Sequence, residues 1–186
     1  MRVLVISGSS RRESLNTRLA RLAAATLTQD TVTVVNDLDR VPYYNGDVEA
    51  AGLPAPVVEL RQTVADADAL VIVTPEYNGT VPGLLGNAVD WLSRTPDNSV
   101  LRGKRVVVLS ASPSRYGGIR AASHLRTVLG HIRADVAPQG VSVSRAPQRL
   151  GDSSADPDLV AELARVLNEA LHPAPAPDED ILALAA

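Results

Sequence analysis

The chain alternates short runs of continuous apolar residues with longer stretches in which apolar positions recur every three or four residues. The first run, Val3-Leu4-Val5-Ile6, is bounded by polar residues, as a strand buried on both faces requires. Ser14 to Leu27 then sets Leu15, Leu19, Leu22 and Ala23 on one stripe and predicts a helix. Val32 to Val35 is a second β-branched run. A turn-rich stretch from Asp37 to Pro56 leads to a predicted helix from Val57 to Ala67. Ala69 to Thr74 reads as a third strand. Pro82 opens a helix that closes near Arg94, because proline is tolerated at the first helical position. Arg105 to Ser110, Arg120 to His131, Gly140 to Ser144 and Pro157 to Leu171 continue the series as strand, helix, strand and helix. No internal repeat interrupts it.

Alternating buried strands and amphipathic helices predict an α/β fold, a parallel sheet covered by helices on both faces. Five strands fit a doubly wound, flavodoxin-like domain of strand order 2-1-3-4-5, spanning residues 1–172. In that order the first and third strands are neighbours, so the loops leaving their C-terminal ends face each other across a crevice. Chemistry is expected there. Beyond the last helix, Pro173-Ala174-Pro175-Ala176-Pro177 forms a stiff linker. It is followed by three acidic residues and an apolar end, Ile181 to Ala186, expected to dock on its own subunit or a neighbour.

Composition narrows the classes of function. The 186 residues suit one domain with a full core. With no Phe and one Trp, that core must be aliphatic. A net charge of −3 argues against a nucleic-acid partner. The absence of cysteine excludes disulfides, iron–sulfur clusters, thiol catalysis and Cys-ligated zinc. His124 and His131 lie seven apart with no acidic partner at ligand spacing, so they are expected at the surface or an interface, and no metal is expected. The opening apolar run is too short for a signal peptide or a membrane span, which makes the cytoplasm the expected location.

The loop after the first strand reads Gly8-Ser9-Ser10-Arg11-Arg12-Glu13-Ser14-Leu15-Asn16-Thr17. It delivers the chain to a helix N-terminus, where free N–H groups and the positive dipole end favour an anion. Hydroxyls and Arg11 or Arg12 can add donors. A plainer reading has Ser14 capping the helix and the rest solvated. Neither the G-x-G-x-x-G nor the G-K-[ST] phosphate motif is present. Four charge-assisted hydrogen bonds at about 1.5–3 kcal/mol each barely offset an association cost of roughly 4–15 kcal/mol. The rest of any ligand must therefore be held by the facing loop.

That loop, Thr74-Pro75-Glu76-Tyr77-Asn78-Gly79-Thr80-Val81-Pro82, is stiffened by two prolines, and Tyr77 offers aromatic surface for a planar ring. Trp91, in the following helix, is expected to pack in the core or at a subunit interface. Tyr43 and Tyr44 could line a neighbour's site or cover core.

Together these segments resemble the NADPH-dependent FMN reductase family of flavodoxin-like quinone, azo-dye and chromate reductases. The first hallmark, G-S-x-R-x-x-S-x-N, is carried by Gly8, Ser9, Arg11, Ser14 and Asn16. The second, P-E-Y-N-x-x-x-P-G-x-x-x-N-A-x-D-W, is carried by Pro75 to Asn78, Pro82, Gly83, Asn87, Ala88, Asp90 and Trp91. Gly117 to Ala121, with Leu125 and Arg126, resembles a weaker third feature, and the likeness runs to about residue 145. Gly86 stands where the family commonly has lysine, and Glu13 where a small residue is usual.

The resemblance implies that Ser9, Arg11, Ser14, the backbone of Leu15, and Asn16 hold the phosphate of FMN. It implies that Pro75, Glu76, Tyr77, Asn78 and Gly79 lie along the ring and ribityl chain, and that Ala111, Ser112, Gly117 and Gly118 approach the other edge. It further implies an enzyme taking NADPH or NADH as hydride donor. The flavin N5 performs the chemistry with no catalytic side chain, in ping-pong fashion, and a quinone, azo compound, metal oxyanion or free flavin accepts the electrons. A homodimer or homotetramer is the expected assembly. Two alternatives stay open at this point: a flavodoxin-type electron carrier and a flavin-free binder of phosphate ligands.

Overall fold

The computed structural model describes residues 1–94, 96–151 and 154–173. Its centre is a parallel sheet of β1 (Arg2–Ser7), β2 (Thr31–Val35), β3 (Ala69–Thr74) and β4 (Arg105–Ala111), extended by the short pieces β5 (Asp135–Val136) and β6 (Ser142–Val143). The order is β2-β1-β3-β4-β5, and β6 also pairs with β4. The expected doubly wound, flavodoxin-like arrangement is present. Helices α1 (Leu15–Thr26), α2 (Gly46–Ala51), α3 (Ala55–Asp66), α4 (Gly83–Ser93), α5 (Ile119–His131), α6 (Ala146–Leu150) and α7 (Pro157–Leu171) connect the strands.

Because side chains alternate across a strand, each buried strand feeds two cores. Val3, Val5, Val71, Val73, Val107 and Leu109 pack against α1 and α7. Leu4, Ile6, Leu70, Ile72, Val106 and Val108 meet α3, α4 and α5 on the other face. Trp91 belongs wholly to this second core: its ring is fully buried, and Nε1 donates to the Pro42 carbonyl at 2.8 Å. Of the two expectations for it, core packing is the one realised. Tyr44 packs edge-on against it at 4.9 Å between centroids, whereas Tyr43 is 85% exposed.

The fifth strand departs from the reading of residues 140–144 as one run. Only Ser142 and Val143 of that run form strand, while Asp135 and Val136 open the same edge earlier. Between them Pro138 lacks a donor, and the chain bends away from β4. The Val108 carbonyl, which a continuous strand would have satisfied, instead accepts from Nη2 of Arg126 at 3.1 Å. Gly140 lies so close that a Cβ there would come within 2.2 Å of that same nitrogen. Burial pushes the Arg126 guanidinium below its ordinary pKa.

Two helices lie where the pattern predicted none. Helix α2, inside the turn-rich stretch, buries no residue and so leaves no hydrophobic period; Asn45 caps it by accepting from the Asp47 N–H at 2.8 Å. Helix α6 is five residues long, too short to show one. The apolar end of the tail, 181–186, lies outside the described residues. No helix among the described residues is long and apolar enough to cross a membrane.

Candidate cofactor site

In-register pairing ends β1, β3 and β4 at one level, Ser7 beside Val73 and Thr74 beside Ser110. β1 and β3 end in a buried hydroxyl, and β4 carries one at its penultimate residue. Ser7 Oγ bonds Thr17 Oγ1 at 2.9 Å, Thr74 Oγ1 donates to the Pro75 carbonyl at 2.8 Å, and Ser110 Oγ donates to the Gly117 carbonyl at 2.8 Å. These hydroxyls begin the three turns that form the upper end of the sheet. A polar residue closing each buried apolar run is the signal for them in the sequence.

The first turn is held tightly at its root. The Gly8 N–H donates to the Val73 carbonyl at 2.8 Å. A Cβ on Gly8 would stand 2.8 Å from Leu85 Cδ2 and 3.2 Å from Leu85 Cβ and the Val73 oxygen, so a side chain there would crowd α4. Ser14 is the N-cap of α1, its Oγ accepting from the N–H groups of Asn16 and Thr17 at 3.2 and 3.3 Å. The capping role is therefore real, but it leaves the rest of the turn unused. Among the described residues, the N–H groups of Ser9, Ser10, Arg12, Glu13, Ser14 and Leu15 have no acceptor. Arg11 and Glu13 are exposed. Unfilled donors on one turn at a helix N-terminus fit a phosphate monoester, which brings several oxygens and a negative charge.

The Asn16 side chain, expected at the phosphate, is bonded within the chain. Its Nδ2 donates to the Ala111 carbonyl at 3.0 Å, and its Oδ1 accepts from the Ala111 N–H at 2.9 Å. Both ends of the amide are thus committed to the last residue of β4, in a buried setting. The residue ties the first turn to the fourth-strand turn.

The turn after β3 is a tight hairpin. Tyr77 and Thr80 exchange backbone hydrogen bonds at 3.2 and 3.1 Å, with Asn78 (φ 54°) and Gly79 (φ 74°) between them. Positive φ at both central positions is the geometry an Asn-Gly pair favours. Pro75 is buried and Tyr77 is 49% exposed at the rim. The Glu76 carboxylate accepts from the N–H groups of Arg120 and Ala121 at 3.1 and 3.3 Å. A negative group there complements the N-terminal end of α5 and fastens the hairpin to the third turn.

That third turn runs from Ser112 to Gly118. Gly117 and Gly118 both have positive φ, 62° and 83°. A Cβ on Gly117 would come within 2.6 Å of the Ser142 carbonyl oxygen, and one on Gly118 within 3.1 Å of Ser110 Cβ. Ser112 donates its N–H to Val143 at 3.1 Å and receives one from Ala146 at 3.1 Å. The structure thus brings all fourteen residues singled out above to one end of the sheet, on three turns of which the third is tied to each of the other two. His124 stands nearby, its Nδ1 bonded to Thr80 Oγ1, while His131 is exposed at the far end of α5. Among the described residues, no group of His, Asp and Glu is arranged to hold a metal.

Residues 1–148 match the family model described as NADPH-dependent FMN reductase. An NAD(P)H-dependent FMN reductase of Pseudomonas aeruginosa is 40% identical over 129 residues, 69% of each chain. A quinone reductase of Escherichia coli K12 is 40% identical over 141 residues, 73% of each. Among solved structures, the flavoenzyme NAD(P)H:(acceptor) oxidoreductase of Paracoccus denitrificans superposes with a TM-score of 0.77 at 26% identity, covering 91% of this chain and 98% of that one.

Proposed function

Because the chain belongs to the NADPH-dependent FMN reductase family, we propose that it binds FMN at the notch between its three turns and carries electrons from NADPH or NADH to a quinone or a free flavin. Family membership makes it an oxidoreductase and sets aside the electron-carrier alternative. The observation that supports this site is the pair of side-chain ties, Asn16 to Ala111 and Glu76 to α5, which hold the turns as one rigid rim.

FMN, when bound, supplies the hydride acceptor and donor. The chain's own part is placement. The free N–H groups from Ser9 to Leu15, with the Ser14 hydroxyl and Arg11, receive the phosphate. Pro75 to Gly79 bed one side of the ring, and Ala111, Ser112, Gly117 and Gly118 bound the other edge. With these backbones fixed before binding, little ordering cost remains. The notch between the turns would admit donor and acceptor in turn, which is a ping-pong scheme.

The test is steady-state oxidation of NADPH and NADH by flavin-loaded protein with quinones, free FMN, azo dyes and chromate as acceptors. Parallel double-reciprocal lines are expected, with quinone or FMN turnover. An intersecting pattern would sink the shared face, and a protein that takes up no FMN would sink the site. A homodimer or homotetramer is part of the same reading, checked by light scattering. With Trp91 internal, its support now rests on exposed apolar residues such as Tyr43.

A further inference from the structure

A second groove opens beside the third turn. It is lined by Arg115, Ser144, Arg145, Gln148 and Arg149. Its wall is the Ser112–Gly118 turn itself, since Arg145 donates its N–H to the Ser114 carbonyl at 3.0 Å. Arg149 is already neutralised by Asp156 at 3.1 Å and Glu162 at 3.4 Å. Arg115 and Arg145 have no carboxylate partner among the described residues; Arg115 bonds only the neutral hydroxyl of Tyr116. Arg145 also holds φ at 47°, a left-handed conformation that side chains other than glycine adopt at a cost. Strain of this kind collects at ligand clamps.

Next to Arg115 lies an aromatic surface. Tyr116 is 48% exposed, with Arg115 at 4.7 Å and Arg120 at 5.5 Å from its ring centroid. Arg120 in turn reaches back toward Gly79 of the hairpin, so this ledge is continuous with the rim of the notch. An exposed aromatic ring that carries guanidinium groups, beside arginines without a carboxylate partner among the described residues, matches a nucleotide carrying a phosphate monoester.

We propose that the groove formed by Arg115 and Arg145, with Tyr116, receives the 2′-phosphorylated adenosine half of NADPH and makes the protein prefer NADPH to NADH. This rests on the reductase reading, and it adds the specificity determinant. One charge-assisted bidentate contact is worth about tenfold or more in affinity.

The experiment measures calorimetric binding of adenosine 2′,5′-bisphosphate, 5′-AMP and inorganic phosphate to the FMN-loaded protein, alongside kcat/KM for NADPH and NADH. Wild type is expected to bind the bisphosphate at least tenfold more tightly than 5′-AMP or phosphate. Arg145→Gly keeps the backbone conformation and should remove that margin and the matching ratio of kcat/KM. Arg115→Gln serves as an independent second variant. Equal binding of bisphosphate and 5′-AMP would overturn the proposal, as would equal competition by inorganic phosphate or a margin that survives both substitutions. A protein that binds the bisphosphate selectively yet oxidises neither dinucleotide would instead refute the reductase reading and leave the groove standing.

Discussion

Replacing Asn16 by alanine should both loosen the fold and weaken FMN binding, because one side chain satisfies two buried backbone groups. The Ala111 N–H and carbonyl are paired with it at 2.9 and 3.0 Å, and Ala111 is 3% exposed. Water has little access to take over. Leaving each group without a partner costs about 1–3 kcal/mol, so together they cost about 2–6 kcal/mol, a large share of the roughly 5–15 kcal/mol that holds a domain folded. Urea denaturation should show a lower midpoint with an unchanged slope. FMN titration by flavin fluorescence should show at least tenfold weaker binding, since the first and third turns lose their tie. Asn16→Asp separates the two bonds. Its carboxylate still accepts from the Ala111 N–H but opposes the Ala111 carbonyl, and protonation restores a donor. The new carboxyl should therefore have a folded pKa above its unfolded value of about 3.9. Its stabilising share is then present in full below the unfolded value and lost as pH rises through the folded one. An Asn16→Ala variant that loses less than about 1 kcal/mol and binds FMN like wild type would refute the reasoning.

Gly117→Ala must combine a left-handed backbone with a Cβ 2.6 Å from the Ser142 oxygen; a drop of about 2–4 kcal/mol in denaturant stability is expected. Arg61 donates to the Trp91, Arg94 and Asn98 carbonyls at 2.8, 2.6 and 2.7 Å, gathering the end of α4. Arg61→Met should lower stability by about 3 kcal/mol or more in the same assay. The Asp30 carboxyl is fully covered by the amino terminus and His172. Burial alone would raise its pKa, but hydrogen bonds from the terminal ammonium and His172 outweigh that and hold it below the usual carboxylate value. With a depressed folded pKa, its contribution exists above the unfolded value and disappears as pH falls through the folded one. Thermal melts should show Asp30→Asn less stable than wild type by about 2–6 °C at pH 7 and little different near pH 2.

The strands and long helices were legible because burial imposes a period on their residues. Val71 and Val73 face one core while Leu70 and Ile72 face the other, and a run apolar at every position is the mark of that. The notch was legible too, because strand order fixes which turns are neighbours. Contacts between distant segments were not. Nothing near Asn16 in the chain points to Ala111, and its place in a loop-to-helix junction invites a ligand contact instead. Glu76 likewise looked like ring-lining surface, whereas its carboxylate sits on the end of α5. The break in the fifth strand was hidden because its substitute partner, Arg126, comes from a helix.

The two margins of the sheet differ in consequence. At the β4 side, two dipeptides separated by a bend offer an incoming strand no continuous ladder to copy. At the other side, Thr31-Val32-Thr33-Val34-Val35 is an uninterrupted edge without a charge, rich in residues that favour strand. Asp37, exposed at the far end of this strand, is a gatekeeper against stacking with other molecules. Asp30, at the near end, is covered and paired with the terminal ammonium and His172, so its charge guards the open margin only once those partners are removed.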